Sequence, residues 1–324
     1  MTNTPMIQVE NVSKRFPKTQ ADAVQPTSFT VAAGEFITIL GTSGSGKTTL
    51  MKMINRLYEP TTGTIYINGQ DTRQMDVNVL RRRIGYVIQQ HGLFEHWTVA
   101  QNIATVCQIL KWDKAKIAQR VDETLRLVQL DPDQYRNRHP HQLSGGEQQR
   151  VGIARALAAD PDILLMDEPF GAVDAVNRAT LQDEIQQIQR QTHKTIIFVT
   201  HDIDEALKLG DRTMLFRSGV IQQFATQDEL FLQPANDFVA DFLKVHDQVT
   251  QWRYIHAGSL VQTWQAAAHT PTIDPVAADQ PLAVVVEHFL KAPATSVTVV
   301  DVPHQRCGEL TLADLARLAE APSC

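Results

Sequence analysis

A glycine-rich segment near the N-terminus has the residue types that bind phosphate. Residues 41–48 are GTSGSGKT and match the pattern G-x-x-x-x-G-K-[ST]. Glycines let successive backbone N–H groups point at one anion, and a following helix N-terminus adds partial positive charge. In this phosphate loop we predict that Lys47 contacts the β- and γ-phosphates of a nucleotide and that Thr48 ligates Mg²⁺. The predicted nucleotide contacts of this segment are Gly41, Thr42, Ser43, Gly44, Ser45, Gly46, Lys47, Thr48 and Thr49.

Two further polar groups follow apolar runs. Asp167 and Glu168 come after ILLM, and His201 comes after TIIFVT. An acidic residue at the tip of a strand can hold Mg²⁺, and a neighbouring glutamate can deprotonate an attacking water. A histidine at the carboxyl end of such a strand faces the ligand crevice of a parallel sheet. We therefore predict Asp167 as a metal ligand, Glu168 as general base and His201 as a γ-phosphate contact.

A second glycine pair suggests a second anion site. Residues 143–150, LSGGEQQR, form what we call the signature segment. Ser144 and Glu147 have capping-box spacing, which predicts that a helix begins there. Gly145 and Gly146 leave the backbone N–H groups of that helix start uncovered, so they favour binding of an anion about 100 residues away from the phosphate loop.

These motifs together resemble an ATP-binding cassette (ABC) ATPase, over residues 6 to about 245. The resemblance rests on GTSGSGKT, LSGGEQQR and LLMDEP in this order. It implies that Gln89 serves Mg²⁺ and the attacking water, that Asp174 lies at the nucleotide and that Phe16 stacks on the adenine ring. It also implies a homodimer in which each ATP contacts the phosphate loop of one subunit and Ser144, Gly145 and Gly146 of the other. Catalytic roles then fall to Glu168, His201, Lys47 and Gln89, and metal binding to Thr48, Gln89 and Asp167.

The elements that must position these residues form a doubly wound α/β core. Apolar runs at 163–166 and 195–199 are typical of strands covered on both faces, and residues 174–192 between them are predicted to be helical. Asn68-Gly69 predicts a hairpin turn, and residues 98–129 are predicted to be mostly helical. With the resemblance, the predicted fold class is α/β: an ABC-type P-loop NTPase cassette with a RecA-like core, an antiparallel β subdomain and a helical subdomain.

Composition sets limits on the function. The 324 residues carry a net charge of −6, which argues against a binder of nucleic acid with a wholly basic surface. Three scattered cysteines fit a reducing compartment, and we expect neither a signal peptide nor a membrane span. A pore, if one is needed, is expected to come from other chains.

Three classes of protein compete for these motifs: a transport ATPase, a soluble ABC ATPase of DNA repair or translation, and a phosphate-loop kinase or other transferase. The spacing from Gly41 to Ser144 is too short for the coiled-coil insertion of repair ATPases, and a transferase has no use for the signature segment. The stretches MKMINRLYEPTTGTI, LRRRIGYVIQQHGLF and HKTIIFVTHDIDEALKL closely resemble cassettes of quaternary amine (osmoprotectant) importers. The resemblance implies import of a glycine betaine, carnitine, choline or proline-type solute; the alternative is another small solute such as methionine or a polyamine.

The same resemblance implies the partners. We expect permease subunits in the membrane, a solute-binding protein that acts indirectly, and a position at the cytoplasmic face of the membrane. The segment His91-Gly92-Leu93-Phe94 is expected to receive the coupling helix of the permease. Glu95 departs from the proline that the family often has there.

A C-terminal tail, residues 259–324, has its own pattern. Strands are predicted at Thr272-Ile273 and at 296–302, an amphipathic helix starts at Leu282, and Thr311 and Asp314 form a capping box for a last helix. This order resembles a single CBS (cystathionine-β-synthase-type) repeat, which implies pairing across a homodimer and a regulatory role. The tail holds three basic and seven acidic side chains, and so most of the net charge. The predicted domains are a cassette over 1–245, a linker over 246–258 and the CBS-like unit over 259–324.

Overall fold

The computed structural model describes residues 4–17, 21–89, 92–171, 173–245, 247–266, 275–291 and 295–319. The chain divides into two compact units, Met1–Ile221 and Gln222–Cys324. The strands are β1 Ile7–Lys14, β2 Val24–Val31, β3 Phe36–Gly41, β4 Thr62–Ile67, β5 Gln70–Asp71, β6 Ile84–Val87, β7 Ile163–Asp167, β8 Thr195–Thr200, β9 Arg212–Arg217, β10 Val220–Ala225, β11 Gln265–Ala266, β12 Val276–Ala277, β13 Ser296–Asp301 and β14 Arg306–Thr311.

The helices alternate with these strands, and a short 3₁₀ helix covers Pro140–Gln142. The α-helices are α1 Lys47–Ile54, α2 Val77–Arg82, α3 Val99–Ile109, α4 Lys114–Leu127, α5 Pro132–Tyr135, α6 Gly145–Leu157, α7 Ala175–Thr192, α8 Ile203–Leu209, α9 Gln227–Leu232, α10 Asp237–Leu243, α11 Gln248–Tyr254, α12 Ala257–Leu260, α13 Leu282–Lys291 and α14 Leu312–Ala319. Among the described residues, none of the helices is long and apolar enough to span a bilayer.

A six-stranded sheet with the order β10-β9-β3-β8-β7-β6 forms the core of the first unit. Strands β3, β7 and β8 are buried along their whole length, which explains why their sequences are almost entirely apolar. A second, antiparallel sheet has the order β2-β1-β4-β5, and its β4–β5 hairpin turns at Asn68-Gly69 as predicted. Helices α3, α4 and α6 pack together as a helical layer whose buried face includes Ile103 and Val121.

The second unit holds a sheet with the order β11-β14-β13-β12, in which β13 and β14 pair antiparallel and β12 lies parallel to β13. Helix α13 begins at Leu282 as predicted, and α14 follows a capping box in which Thr311 N and Oγ1 donate to Asp314. The predicted strand at Thr272-Ile273 lies outside the described residues.

The region predicted as a linker contains a helix that its sequence period did not reveal. Asp247 accepts a 2.9 Å hydrogen bond from Thr250 N and so caps α11. The division into units falls within β10, before residue 245. The boundaries of the cassette, linker and tail stay predictions, because a division by packing does not by itself mark the end of a domain.

Candidate active site

The strand order brings the predicted residues to one edge of the core sheet. Neighbours β3, β8, β7 and β6 run parallel, so their carboxyl ends share that edge. The phosphate loop follows β3, Asp167 ends β7, and His201 follows β8, while Gln89 lies two residues after β6. Four distant parts of the sequence therefore meet at one place.

The phosphate loop is held in a tight turn ahead of α1. Buried Lys47 donates from Nζ to the carbonyl oxygens of Gly41 at 2.7 Å and Thr42 at 2.9 Å. Gly46 has a φ of 110°, and a Cβ there would lie 2.3 Å from the carbonyl oxygen of Ala23, so only glycine fits. The Ser45 hydroxyl is buried and makes no hydrogen bond within the described part of the chain. A phosphate oxygen would supply the missing partner.

The charge of Lys47 is affected by its burial and by two nearby carboxylates. Burial lowers the pKa of Lys47, and the nearby carboxylates of Glu168 and Asp167 act in the opposite direction. A phosphate would add negative charge beside the ammonium group and would strengthen its charged form.

Thr48 and Asp167 face each other across the sheet edge. Thr48 Oγ1 donates to Asp167 Oδ1 at 2.8 Å, and the Tyr86 hydroxyl donates to Asp167 Oδ2 at 3.5 Å. Burial raises the pKa of Asp167, although the hydrogen bond from Thr48 opposes this. Among the described residues, no group of three or more His, Cys, Asp and Glu side chains could hold a metal by itself. A hydroxyl and one carboxylate fit Mg²⁺, which takes its other ligands from nucleotide phosphates and water.

Glu168 lies between two of the other predicted catalytic residues. Gln89 Nε2 donates to Glu168 Oε2 at 3.0 Å, and His201 Nδ1 lies 3.4 Å from the same oxygen. The backbone of Glu168 has a φ of 44°, and its N–H donates to Val199 O at 2.9 Å. A carboxylate held beside Gln89 and His201 has the chemistry to accept a proton from a bound water.

The signature segment begins α6 with the predicted capping box. Ser144 N donates to Glu147 Oε2 at 2.7 Å, and Ser144 Oγ accepts from Glu147 N at 3.3 Å. A Cβ added to Gly146 would lie 3.9 Å from Asn177 Cβ, and Asp174 caps the same helix, α7, by accepting from Asn177 N. The structure thus brings the signature segment and Asp174 close together, at the first turns of α6 and α7.

Phe16 lies after β1, and its ring packs edge-on against Tyr58 at 5.3 Å, with Lys14 Nζ 5.3 Å from the ring centre. Its stacking on adenine stays a prediction. Tyr86 is not among the residues predicted from the sequence, and its pKa is raised by burial and by the charge of Asp167. The strand β6 that carries it is short, and only pairing with β7 shows that its hydroxyl reaches the acidic group.

One edge of the parallel sheet carries a phosphate loop, an acidic strand end and a histidine, and a second glycine pair begins α6. This combination defines a nucleoside triphosphatase of the cassette class. A comparison with known families matches residues 24–171 to the description "ABC transporter". The chain belongs to the family of ATP-binding subunits of ABC transporters.

Curated relatives support this assignment. The osmoprotectant import ATP-binding protein OsmV of Salmonella typhimurium is 45% identical over 302 residues, which cover 91% of this chain and 76% of that protein. The glycine betaine/carnitine/choline transport ATP-binding protein OpuCA of Bacillus subtilis is 46% identical, with the same coverage of 91% and 76%. The glycine betaine uptake system ATP-binding protein YehX of Escherichia coli is 52% identical, and the match covers 73% of this chain and 76% of that protein.

A solved structure confirms the predicted cassette fold. It is the dimeric post-hydrolysis state of the ATP-binding cassette MJ0796 bound to ADP and Pi, with a TM-score of 0.61 and 32% identity. The match covers 68% of this chain and 98% of that one. The predicted transport ATPase is confirmed at the level of the family, and the repair, translation and transferase alternatives are set aside.

Proposed function

We propose that this chain energises import of a quaternary amine osmoprotectant through separate permease subunits by hydrolysing ATP. The catalytic part is carried by one observation, the convergence of Gln89 and His201 on the carboxylate of Glu168 beside the phosphate loop. The solute class is supported by three relatives, 45–52% identical, that are named for osmoprotectants, glycine betaine, carnitine or choline.

Hydrolysis in this proposal is mostly positioning and electrostatics. Lys47 and His201 stabilise the charge on the γ-phosphate, and Glu168 takes the proton of the attacking water. Thr48, Asp167 and Gln89 would hold Mg²⁺ and the attacking water. The metal, when bound, neutralises charge that develops on the phosphate oxygens.

A head-to-tail homodimer accounts for two anion sites in one chain. The phosphate loop precedes α1 and the signature segment begins α6. In the proposed homodimer each nucleotide would contact the phosphate loop of one subunit and Ser144, Gly145 and Gly146 of the partner subunit. Support comes from the similar cassette MJ0796, whose structure is dimeric with ADP and Pi. An Arg side chain at Ser144 would block this contact, so Ser144→Arg should abolish hydrolysis while leaving ATP binding to the phosphate loop.

An exposed aromatic pair supports permease docking close to the predicted segment. The ring centres of Phe94 and Trp97 lie 4.5 Å apart with the ring planes tilted by 42°, and the two residues are 47% and 38% exposed. The buried Asn102 side chain fixes their loop by accepting from Phe94 N and donating to the carbonyl oxygens of Phe94 and Trp97. Rigid exposed aromatic surface is typical of a protein contact. His91 lies outside the described residues, and the position at the cytoplasmic face follows from this docking.

The tail is proposed as a CBS-like regulatory unit that pairs with its copy in the homodimer. The outward face of β13 and β14 carries the half-buried Thr298 and Val300 and the exposed Glu309, a surface that a second sheet could cover. Its acidity suits salt-dependent contact with an anionic membrane, because salt screens the repulsion. Deletion of residues 259–324 should therefore flatten the salt dependence of transport.

Uptake in vesicles tests the proposed function. The chain and its permease are reconstituted with ATP inside the vesicles, and labelled glycine betaine, carnitine and choline are offered with the solute-binding protein. We expect uptake with the unchanged chain and none with Glu168→Gln. Uptake of methionine or a polyamine in place of all three amines would overturn the solute class.

A further inference from the structure

We propose that Tyr135 is a positioning residue that holds the signature serine, Ser144, in place through Glu147. Tyr135 ends α5, whereas Glu147 lies in the first turn of α6. The inference rests on the proposed contact of Ser144 with nucleotide across the dimer. It adds a residue outside the signature segment to the machinery of hydrolysis.

The geometry joins three groups through one carboxylate. The Tyr135 hydroxyl donates to Glu147 Oε1 at 2.6 Å, while Ser144 N donates to Glu147 Oε2 at 2.7 Å. Both carboxylate oxygens are thus engaged, so the carboxylate plane cannot rotate without breaking one bond. Because the same glutamate closes the capping box, its orientation sets the backbone direction at Ser144. Removal of the hydroxyl leaves the capping box but frees this orientation.

The protonation states favour the contact. Burial acts to raise the pKa of Glu147, but the hydrogen bonds from Tyr135 and Ser144 lower it overall. The hydrogen bond to Glu147 in turn raises the pKa of Tyr135. The carboxylate therefore stays ionised and the phenol stays protonated around neutral pH, which gives a charge-assisted hydrogen bond.

Tyr135 is itself fixed to the start of α3. The Arg138 guanidinium lies 4.4 Å from the centre of its ring. The carbonyl oxygens of Arg138 and Arg136 accept from Val99 N at 2.8 Å and from Ala100 N at 3.0 Å. Helix α3 directly follows the exposed Phe94–Trp97 pair, so the tyrosine connects the surface proposed for the permease to the signature segment.

Steady-state kinetics of the purified chain test the proposal. Tyr135→Phe keeps the ring and deletes only the hydroxyl, and we expect kcat for ATP hydrolysis to fall about three- to tenfold with KM for ATP within about twofold. In a Glu147→Ala background, Tyr135→Phe should cause no further fall, because the acceptor is already gone. The matched control is Tyr66→Phe on β4, a half-buried tyrosine whose hydroxyl makes no hydrogen bond among the described residues; it should leave kcat unchanged.

Two outcomes separate this inference from the proposed function. If Ser144→Arg still hydrolyses ATP normally, the proposed role of Ser144 is wrong. If Ser144→Arg is inactive but Tyr135→Phe has wild-type kcat, or lowers kcat equally in both backgrounds, the positioning role of Tyr135 is wrong. Thermal unfolding midpoints of all variants show whether a lost rate reflects lost folding.

Discussion

The side-chain amide of Gln89 donates a 3.0 Å hydrogen bond to Glu168 Oε2, across the edge where β6 and β7 end. The bond orients the carboxylate proposed as general base. Gln89 also precedes the segment proposed to face the permease. Movement of that segment is therefore expected to reach the base through a single side chain, and this would couple solute transport to hydrolysis.

Replacement of the proposed base tests the catalytic assignment. Glu168→Gln keeps the shape and can still pair with Gln89, but it cannot take up a proton. We expect ATP to bind with similar affinity and to be hydrolysed at least about 100-fold more slowly. Binding of a fluorescent ATP analogue and release of phosphate measure the two effects. Glu123→Gln on α4, at an exposed carboxylate, is the control, and near-normal turnover of Glu168→Gln would remove this residue as base.

The phosphate loop offers a matched pair of glycines. A Cβ at Gly46 would lie 2.3 Å from Ala23 O, whereas a Cβ at Gly44 would meet nothing within 4 Å. We expect Gly46→Ala to abolish ATP binding because the loop must shift. Gly44→Ala carries only the strain of its positive φ, about 1–2 kcal/mol, and should weaken binding far less. Calorimetric titration measures the ATP affinity of both variants. An equal loss of affinity in Gly44→Ala and Gly46→Ala would contradict the explanation from the space around each glycine.

Asp167 links metal binding to stability. Burial raises its pKa, so the folded state binds the proton more tightly than the unfolded chain does, and ionised Asp167 destabilises the fold as pH rises. Asp167→Asn can still accept from Thr48 without a charge. We expect an unfolding midpoint about 2–4 °C higher at pH 8, a smaller gain at lower pH, and loss of Mg²⁺-dependent hydrolysis. The control Asp183→Asn, at a side chain that is 67% exposed, should change neither the unfolding midpoint nor the Mg²⁺-dependent hydrolysis by much. An unchanged midpoint at pH 8 argues against the buried-charge explanation.

A second titration concerns the other unit. The hydrogen bond to Asp228, opposed by burial, raises the pKa of His256 above its ordinary value. Stabilisation from this pair is therefore complete below about pH 6.5 and is lost as pH rises through the raised pKa. We expect a small fall in the unfolding midpoint between pH 6 and pH 8, since His256 is partly exposed and solvent screens the pair. In Asp228→Asn the unfolding midpoint should no longer fall between pH 6 and pH 8. The control His193→Gln, at an exposed histidine, should show the same fall as the unchanged chain.

Much of the fold could be predicted from local patterns. The Asn68-Gly69 turn, the apolar strands β7 and β8 and the capping box at Ser144 are all short-range features, and each is present as expected. The order of the motifs predicts the location of the site, because a phosphate loop that follows a strand shows which edge of the sheet carries it.

Contacts between distant elements could not be predicted in this way. The bond from Tyr135 to Glu147 depends on how α5 packs beside α6, and neither residue type has a preferred partner. Tyr86 was missed for the same reason. Helix α11 has no regular apolar period, and its only sequence signal is the cap at Asp247.

The position of β8 has a consequence for biosynthesis. This strand lies between β3 and β7 in the sheet, yet it is the last of the three in the sequence. Until the ribosome has released residue 200, β3 and β7 each present an unpaired inner edge, and such edges invite aggregation. A chain truncated before β8 would therefore contain the whole phosphate loop and signature segment but would be inactive and prone to aggregation.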